Sequence, residues 1–312
     1  MAQGVETESA REGPDPGTSP LVALYERMLF IRRFEETLLE MFSAGKLVGT
    51  THTCIGQEAG VVGVIDHLAH GVDVVFSNHR CHGHYLAFTD DAVGLLAEVM
   101  GKASGTCGGK GGSQHLCKGN FYSNGVQGSI LPVATGMALA ERERDSGAVT
   151  TVFLGDGTLG QGTVYECLNI SSLWSLPLLF VVENNGYAQS TPSEFAVAGS
   201  VVGRAAPFGV EATEIDSTDV AEIHAAVGPI VDTVRESGRP HFLVLDTYRF
   251  SPHSKGDDDR DPAEIEERRQ RDPLRLTARS LDDGTVATIG RRVDDRLAAT
   301  LEQVDAAPAA GS

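Results

Sequence analysis

Apolar residues recur at spacings of three and four through Leu24, Met28, Ile31, Phe34, Leu38 and Phe42, the period of an amphipathic helix. Ser19-Pro20 offers an N-cap and a first-turn proline before it, and Gly45 a stop after it. Further helices are predicted over about 57–69, from Asp90-Asp91 to near Gly101, and over about 132–144, 161–174 and 220–235. Between them lie short, mostly apolar runs at Val74–Ser77, Val149–Leu154, Leu178–Val182, Glu211–Ile215 and Phe242–Thr247. Apolar strands alternating with helices predict an α/β fold, with a parallel sheet covered by helices on both faces. The densely charged segment Asp257–Arg275 reads as a mobile loop that a ligand would order, and the remainder as one more helix. The expected organisation is a disordered acidic tail (1–20), one α/β domain (21–280) and a C-terminal helix with a loose end (281–312).

Composition narrows the function classes. With 41% hydrophobic and 22% charged residues, the chain is not a wholly disordered, collagenous or coiled-coil protein. Its longest strongly apolar run, Leu176–Val182, is far shorter than the roughly 20 residues of a membrane-spanning helix. The 43 acidic against 25 basic side chains give a net charge of −18, which argues against nucleic acid or an anionic membrane as partner. Cys54, Cys81, Cys107, Cys117 and Cys167 are scattered and form no CxxC pair. The first 20 residues lack both the apolar core of a signal peptide and an Arg-rich import pattern. A cytoplasmic, reducing setting is expected.

Gly155-Asp156-Gly157-Thr158-Leu159-Gly160 follows a predicted strand and opens a predicted helix, as a dinucleotide-binding GxGxxG does. Glu183 then ends the next strand, where a ribose-binding acid would stand in an NAD-dependent dehydrogenase. Against that reading, Asp156 puts a carboxylate between the turn glycines, where a pyrophosphate would repel it unless a cation intervenes. Asn185, at the end of the next strand, offers a neutral amide oxygen. A carboxylate, an amide oxygen and a main-chain carbonyl, completed by phosphate and water, suit magnesium. Parallel strands would bring Asp156 and Asn185 to one crevice, although either residue also serves as a plain turn cap.

The spacing from Gly155-Asp156-Gly157 across 26 residues to Asn184-Asn185, with Phe153-Leu154, Leu176-Pro177 and Val181-Val182-Glu183 around it, is similar to the thiamine-diphosphate signature. Over residues 21–276 the chain resembles the α subunit of the heteromeric, thiamine-diphosphate-dependent 2-oxo acid dehydrogenase E1 family, of pyruvate or acetoin type. The resemblance implies magnesium ligation by Asp156, Asn185 and the main-chain oxygen of Tyr187, and diphosphate contacts from Gly155, Gly157 and Thr158. It places Arg80, in Asn78-His79-Arg80-Cys81-His82-Gly83, on the diphosphate. His79 stands beside it, where acetoin-type members more often carry histidine and mitochondrial pyruvate members tyrosine. His52 and His253 match two active-site histidines, and Gly125 and Gln127 lie in the segment that contacts the aminopyrimidine.

Imidazoles near neutral pH suit proton traffic and carboxylate recognition. His79, Cys81, His82 and His84 also raise a zinc reading, but their spacing fits no common zinc motif. Glu58 is tempting as the acid that protonates the cofactor, yet the resemblance implies that a β subunit supplies it, leaving Glu58 structural. The stretch Gly101–Gly112, with six glycines, suits either a phosphate or close backbone packing, and packing is the reading taken. Two departures fall near the reacting carbon: Gln127, where relatives are generally aliphatic, and Ser251-Pro252. A buried glutamine amide needs a partner. The resemblance further implies a β subunit in an α2β2 assembly, with 312 residues providing the diphosphate half alone. The implied acceptor is a lipoyl E2 domain or an acyl-carrier-like protein, and the implied donor a small 2-oxo acid, acetoin or a ketose. A non-catalytic α-subunit paralogue is the remaining alternative, which intact Asp156, Asn185, Arg80, His52 and His253 oppose.

Overall fold

The computed structural model describes residues 18–311 apart from 48, 255 and 257. The predicted N-terminal tail lies almost entirely outside the described residues. The first half of the chain builds α1 (Pro20–Ser43), α2 (Glu58–Ile65), β1 (Val74–Ser77), α3 (His82–Thr89), α4 (Ala92–Val99), β2 (Cys117–Lys118), β3 (Phe121–Ser123) and α5 (Ile130–Arg144). The second half adds β4 (Thr150–Gly155), α6 (Gly162–Leu173), β5 (Leu178–Asn184), a small hairpin of β6 (Tyr187–Ala188) and β7 (Thr191–Pro192), and β8 (Glu211–Ile215). It closes with α7 (Val220–Ser237), β9 (His241–Asp246), α8 (Pro262–Arg269), α9 (Pro273–Ala278) and α10 (Asp283–Asp305). Among the described residues no helix is long and apolar enough to cross a membrane.

Seven strands form one sheet in the order β2-β3-β1-β4-β5-β9-β8. All neighbouring strands run parallel except the edge pair β2–β3. The expected parallel sheet with helices on both faces is therefore present, with one antiparallel edge strand. Successive strand side chains point to opposite faces. Val75, Phe153, Val181 and Leu243 pack under α1, α2, α3, α4, α7 and α10, while Val152, Leu154, Phe180 and Val244 pack under α5 and α6. The strands read as unbroken apolar runs because both of these faces are covered.

Several predicted elements differ in detail. Helix α2 stops at Ile65, and a tighter turn follows in which His67 and Leu68 donate to the carbonyls of Val64 and Ile65. Helix α3 was hidden in the sequence by its histidines, although every residue from His82 to Phe88 is buried. The charged segment expected to be a mobile loop instead holds α8 and α9. Asp261-Pro262 and Asp272-Pro273 start them, each Asp side chain accepting a main-chain amide just beyond its proline. The C-terminal end is not loose: the Ala103 amide donates to Pro308 O at 2.9 Å and the Ala310 amide to Gly101 O at 2.8 Å.

Asp73 ties three elements together at the amino end of the sheet. Its fully buried carboxylate accepts the amides of Ala69 and Val149 at 2.6 and 2.7 Å, and both terminal nitrogens of Arg235 at 2.8 Å. Asp73→Ala would strand two amides and a guanidinium, so it is expected to destabilise the fold by about 3–5 kcal/mol. Chemical denaturation of variant and wild type checks this, and a loss below about 1 kcal/mol would contradict it.

Candidate active site

The connection from β1 runs to β3 on one side of it, and the chain then returns to β4 on the other. This reversal leaves a crevice beyond the carboxyl ends of β1 and β4, the usual ligand position in an open α/β sheet. A cleft of about 380 Å³ lies there. His52, His79, Arg80, Gly125, Gln127, Gly155, Asp156, Gly157, Thr158, Asn185, Tyr187 and His253 all line it. Every residue assigned to the thiamine-diphosphate reading of the sequence is thus brought to one place. They arrive on the loop before α2, on the segments following β1, β3, β4, β5 and β9, and at the start of β6.

The turn after β4 carries Asp156, which is buried at 1% exposure. Residues 156–160 form a short 3₁₀ turn, and α6 starts only at Gly162, one residue beyond the expected Gln161. A Cβ on Gly157 would sit 2.7 Å from Ala188 Cβ, so glycine lets this turn press against the β6–β7 hairpin. The hydroxyl of Ser193 donates to the Asp156 carboxyl, and the main-chain amides of Gly157 and Gly186 favour its charged form. Burial nevertheless holds that carboxyl above its ordinary pKa. On the facing turn, Asn185 Oδ1 accepts the Tyr187 amide at 3.1 Å and keeps a second lone pair. Gly186 between them adopts a left-handed conformation (φ 78°).

The opposite wall is cationic. Arg80 is buried, donating to Thr53 O at 2.9 Å and to His253 Nδ1 at 2.9 Å. Burial and then the neighbouring Arg249 push its pKa down to about 9. Among the described residues no carboxylate lies within ion-pair distance of Arg80. A buried guanidinium so placed favours an anion in the cleft.

Three imidazoles converge beside it. The His52 ring centroid lies 4.7 Å from that of His79 and 4.8 Å from that of His253. Gln114 Nε2 donates to His52 Nδ1 at 3.4 Å, and Gln127 Nε2 donates to His79 Nδ1 at 2.6 Å. Burial, with Arg80 and the other two histidines, holds His79 well below the ordinary histidine pKa. The zinc grouping of His79, Cys81, His82 and His84 does not assemble. His82 is held by Glu35 and Ser113, His84 by Ser77, and the Cys81 thiol by the Ser113 carbonyl.

Other candidate residues are held elsewhere. Glu58 is locked by Arg32 at 2.5 and 3.0 Å and by the Gly56 amide at 3.0 Å, away from the cleft lining. Glu183, the ribose-binding acid of the dinucleotide reading, is buried beneath Gln57 and Asn78, which donate to it at 3.0 and 3.2 Å. Burial raises its pKa to about 7. The glycine-rich stretch cradles an anion, but an internal one. The amides of Cys107, Gly109, Gly111 and Gly112 donate to the Glu98 carboxylate at 2.6–3.2 Å.

Sequence reasoning missed Gln114, Gln161, Ala188 and Gln189 in the lining, and Ser193 on Asp156. Gln114 stands at the end of the glycine-rich stretch, a usable signal. Ser193 carries none, because only the hairpin returns it to Asp156. Helix α8 was missed as well, and it braces the site. Glu264 accepts from the hydroxyls of Tyr187 and Tyr248 at 2.7 and 2.8 Å. The Arg260 guanidinium lies 5.5 and 5.0 Å from those two ring centroids. It also donates to the carbonyls of Arg249 and Ser251, so the turn after β5 and the His253 loop share one support.

The fold and cleft thus define a parallel α/β protein with a buried guanidinium and a buried carboxyl lining one cleft at the strand carboxyl ends. The dehydrogenase E1 component family matches residues 26–309. The chain is 39% identical to the α subunit of acetoin:2,6-dichlorophenolindophenol oxidoreductase of Cupriavidus necator, over 97% of this chain and 96% of that protein. The protein of the same name from Bacillus subtilis is 39% identical over 79% of this chain and 75% of its own length. The pyruvate dehydrogenase E1 component α subunit of Zymomonas mobilis is 41% identical over 76% and 68%. The chain belongs to the dehydrogenase E1 component family.

Two outcomes follow from the buried charges. Glu98→Ala leaves four amides without their acceptor, and hydrogen exchange across residues 105–112 is expected to accelerate at least about tenfold. Unchanged protection would contradict that. His84 is fully buried, and burial lowers its pKa to about 3. The unfolded chain therefore takes up this proton near pH 6.5 while the folded one does not. Stability from this residue is complete above pH 6.5 and falls by about 1.4 kcal/mol per unit as pH drops toward 3. Melting curves from pH 7 to 5 should show wild type losing more stability than His84→Gln.

Proposed function

We propose that this chain is the α subunit of a heteromeric, thiamine-diphosphate-dependent E1 enzyme. That enzyme cleaves a 2-oxo acid or related ketone donor and passes the acyl or hydroxyacyl unit to a carrier-bound thiol. The observation that carries the reading is the pairing, across one cleft, of the Asp156–Asn185–Tyr187 oxygens with buried Arg80. The donor set fits the group: one buried carboxyl, one amide oxygen with a lone pair to spare and one main-chain carbonyl suit a hard divalent cation such as Mg2+. The Gly157 turn, where a Cβ would collide with Ala188, fits a diphosphate held close to backbone amides. When bound, thiamine diphosphate supplies the carbon nucleophile and the electron sink for cleavage next to a carbonyl.

The chain's own residues bind, orient and exchange protons. Asp156, Asn185 and the Tyr187 carbonyl hold the cation, and a bound cation reverses the upward pKa shift that burial imposes on Asp156. Arg80 and the amides of Gly157 and Thr158 neutralise the diphosphate, with Gly155 leaving room for it. Gly125 and Gln127 flank the pyrimidine side of the cleft. His52 and His253, which line the same cleft, would hold or deliver a proton to the bound donor. Arg80 donates to His253 Nδ1, which leaves the proton of the neutral ring on Nε2.

Asp156 is the one carboxylate lining the cleft among the described residues. With it committed to the cation, the acid that protonates the cofactor falls to a β subunit in an α2β2 assembly. The acceptor is a lipoyl E2 domain or a similar carrier. His79 and the long match to an acetoin oxidoreductase α subunit favour an acetoin-type donor over pyruvate. Five free thiols suit a cytoplasmic location.

Asp156→Ala is expected to weaken thiamine diphosphate binding by at least about 100-fold in the α/β complex with magnesium, measured by calorimetry. Undiminished affinity would sink the metal assignment. Saturable NAD binding with none of thiamine diphosphate would sink the function.

A further inference from the structure

Gln127 lies on the loop between β3 and α5, half-buried, with its amide spanning the cleft wall. Its nitrogen donates to His79 Nδ1 at 2.6 Å and approaches Gly125 O at 3.4 Å. Its oxygen accepts the Thr158 hydroxyl at 3.0 Å. The direction of the amide is fixed by this set. A carbonyl such as Gly125 O only accepts, so the amide end beside it is the NH2. A flipped amide would set two oxygens against each other.

An NH2 group in turn only donates, so His79 Nδ1 must be the lone-pair nitrogen and the ring proton must sit on Nε2. That Nε2 is buried and has no hydrogen-bond partner among the described residues. Around it stand the rings of His52 and His253, with centroids 4.7 and 5.4 Å from that of His79. A buried N–H without an acceptor costs about 1–3 kcal/mol, which an oxygen of a bound molecule would recover.

We propose that Gln127 is a positioning residue that locks His79 in its Nε2–H tautomer, so that the cleft presents one fixed neutral donor to an acceptor oxygen of the bound cofactor or donor. The inference rests on the thiamine-diphosphate reading and deepens it. Through Thr158, the same amide also links this donor to the turn proposed to hold the diphosphate. Arg80 and burial keep His79 neutral, which agrees with a donor role that adds no charge.

The test is a double-mutant cycle in the complete α/β complex. Gln127→Glu keeps the shape but accepts from Nδ1–H, turning Nε2 into an acceptor that repels an oxygen. Gln127→Leu keeps the volume and releases the ring, and it stands in if the glutamate variant does not assemble. Thiamine diphosphate affinity is read by calorimetry, and kcat and KM for the donor by steady-state kinetics. Gln127→Glu is expected to weaken one of the two affinities about tenfold or more, and Gln127→Leu about threefold, with neither adding to the loss in a His79→Phe background. A loss in cofactor affinity assigns the acceptor to the diphosphate, and a rise in donor KM alone assigns it to the donor.

Equal losses in both backgrounds would mean that Gln127 acts through its own charge or packing, and would overturn the proposal. Wild-type values in the Gln127 variants would overturn it too. Thiamine diphosphate failing to bind even the wild-type complex is a separate result, which removes the functional reading itself.

Discussion

The site exists because one direction of chain travel is imposed on six of seven strands. Each of those strands delivers its following segment to the same side of the sheet, and the reversal between β1 and β4 leaves a gap there. Residues as distant in sequence as His52 and His253 meet only under this constraint. The two hydrophobic layers that enforce it are ordinary packing, and they contribute stability roughly in proportion to the apolar area removed from water. Their functional consequence is to hold the strand ends rigid. A loop anchored on a buried strand places a carboxylate or guanidinium more accurately than a free loop can.

Charge accounting separates support from function. Most buried ions in this molecule are answered internally. Asp73 faces Arg235, Glu58 faces Arg32, Glu35 faces His82, and Glu98 fills a nest of four amides. Such groups stabilise because removing either partner leaves a desolvated charge. Arg80 and Asp156 differ: burial drives the guanidinium pKa downward and the carboxyl pKa upward, so each pays a desolvation cost that a bound anion and cation would relieve. Burial-driven shifts in opposite directions at opposite walls of one cleft are expected of groups kept for a ligand.

Helix α8 connects the two walls. Glu264 and Arg260 hold Tyr187 on one side and the Tyr248–Ser251 segment on the other. A shift of α8 would therefore move the proposed cation ligand and the His253 loop together. This bracing explains why so charged a segment is helical. Glu264 accepts two tyrosine hydroxyls, and Arg268 and Arg269 lie over the Tyr248 and Phe250 rings. Arg260, just before the helix, donates to two carbonyls, while Glu266 and Glu267 stay exposed.

Much of the fold and site was legible in local pattern. Apolar runs such as Leu178–Val182 can only be strands buried on both faces, and a carboxylate between two turn glycines followed one unit later by Asn184-Asn185 carries its own electrostatic argument. The Asp-Pro starts of α8 and α9 were equally readable and were masked by the charge around them. Helix α3 was not readable, because its histidines look like surface residues until Glu35 and Ser77 are brought against them. The partners of Gln127 and the contact of Ser193 with Asp156 join residues dozens of positions apart, and the glycine-rich stretch closes on Glu98, 9 to 14 residues before the amides it binds. Sequence by itself determined which residues are candidates for the chemistry, since residue type and short spacing set what a side chain can donate, accept or ligate. Tertiary structure alone decided which of them face one another, which tautomer His79 holds and which charges stay unanswered. Those properties depend on distances and burial that arise only when the strands are laid side by side.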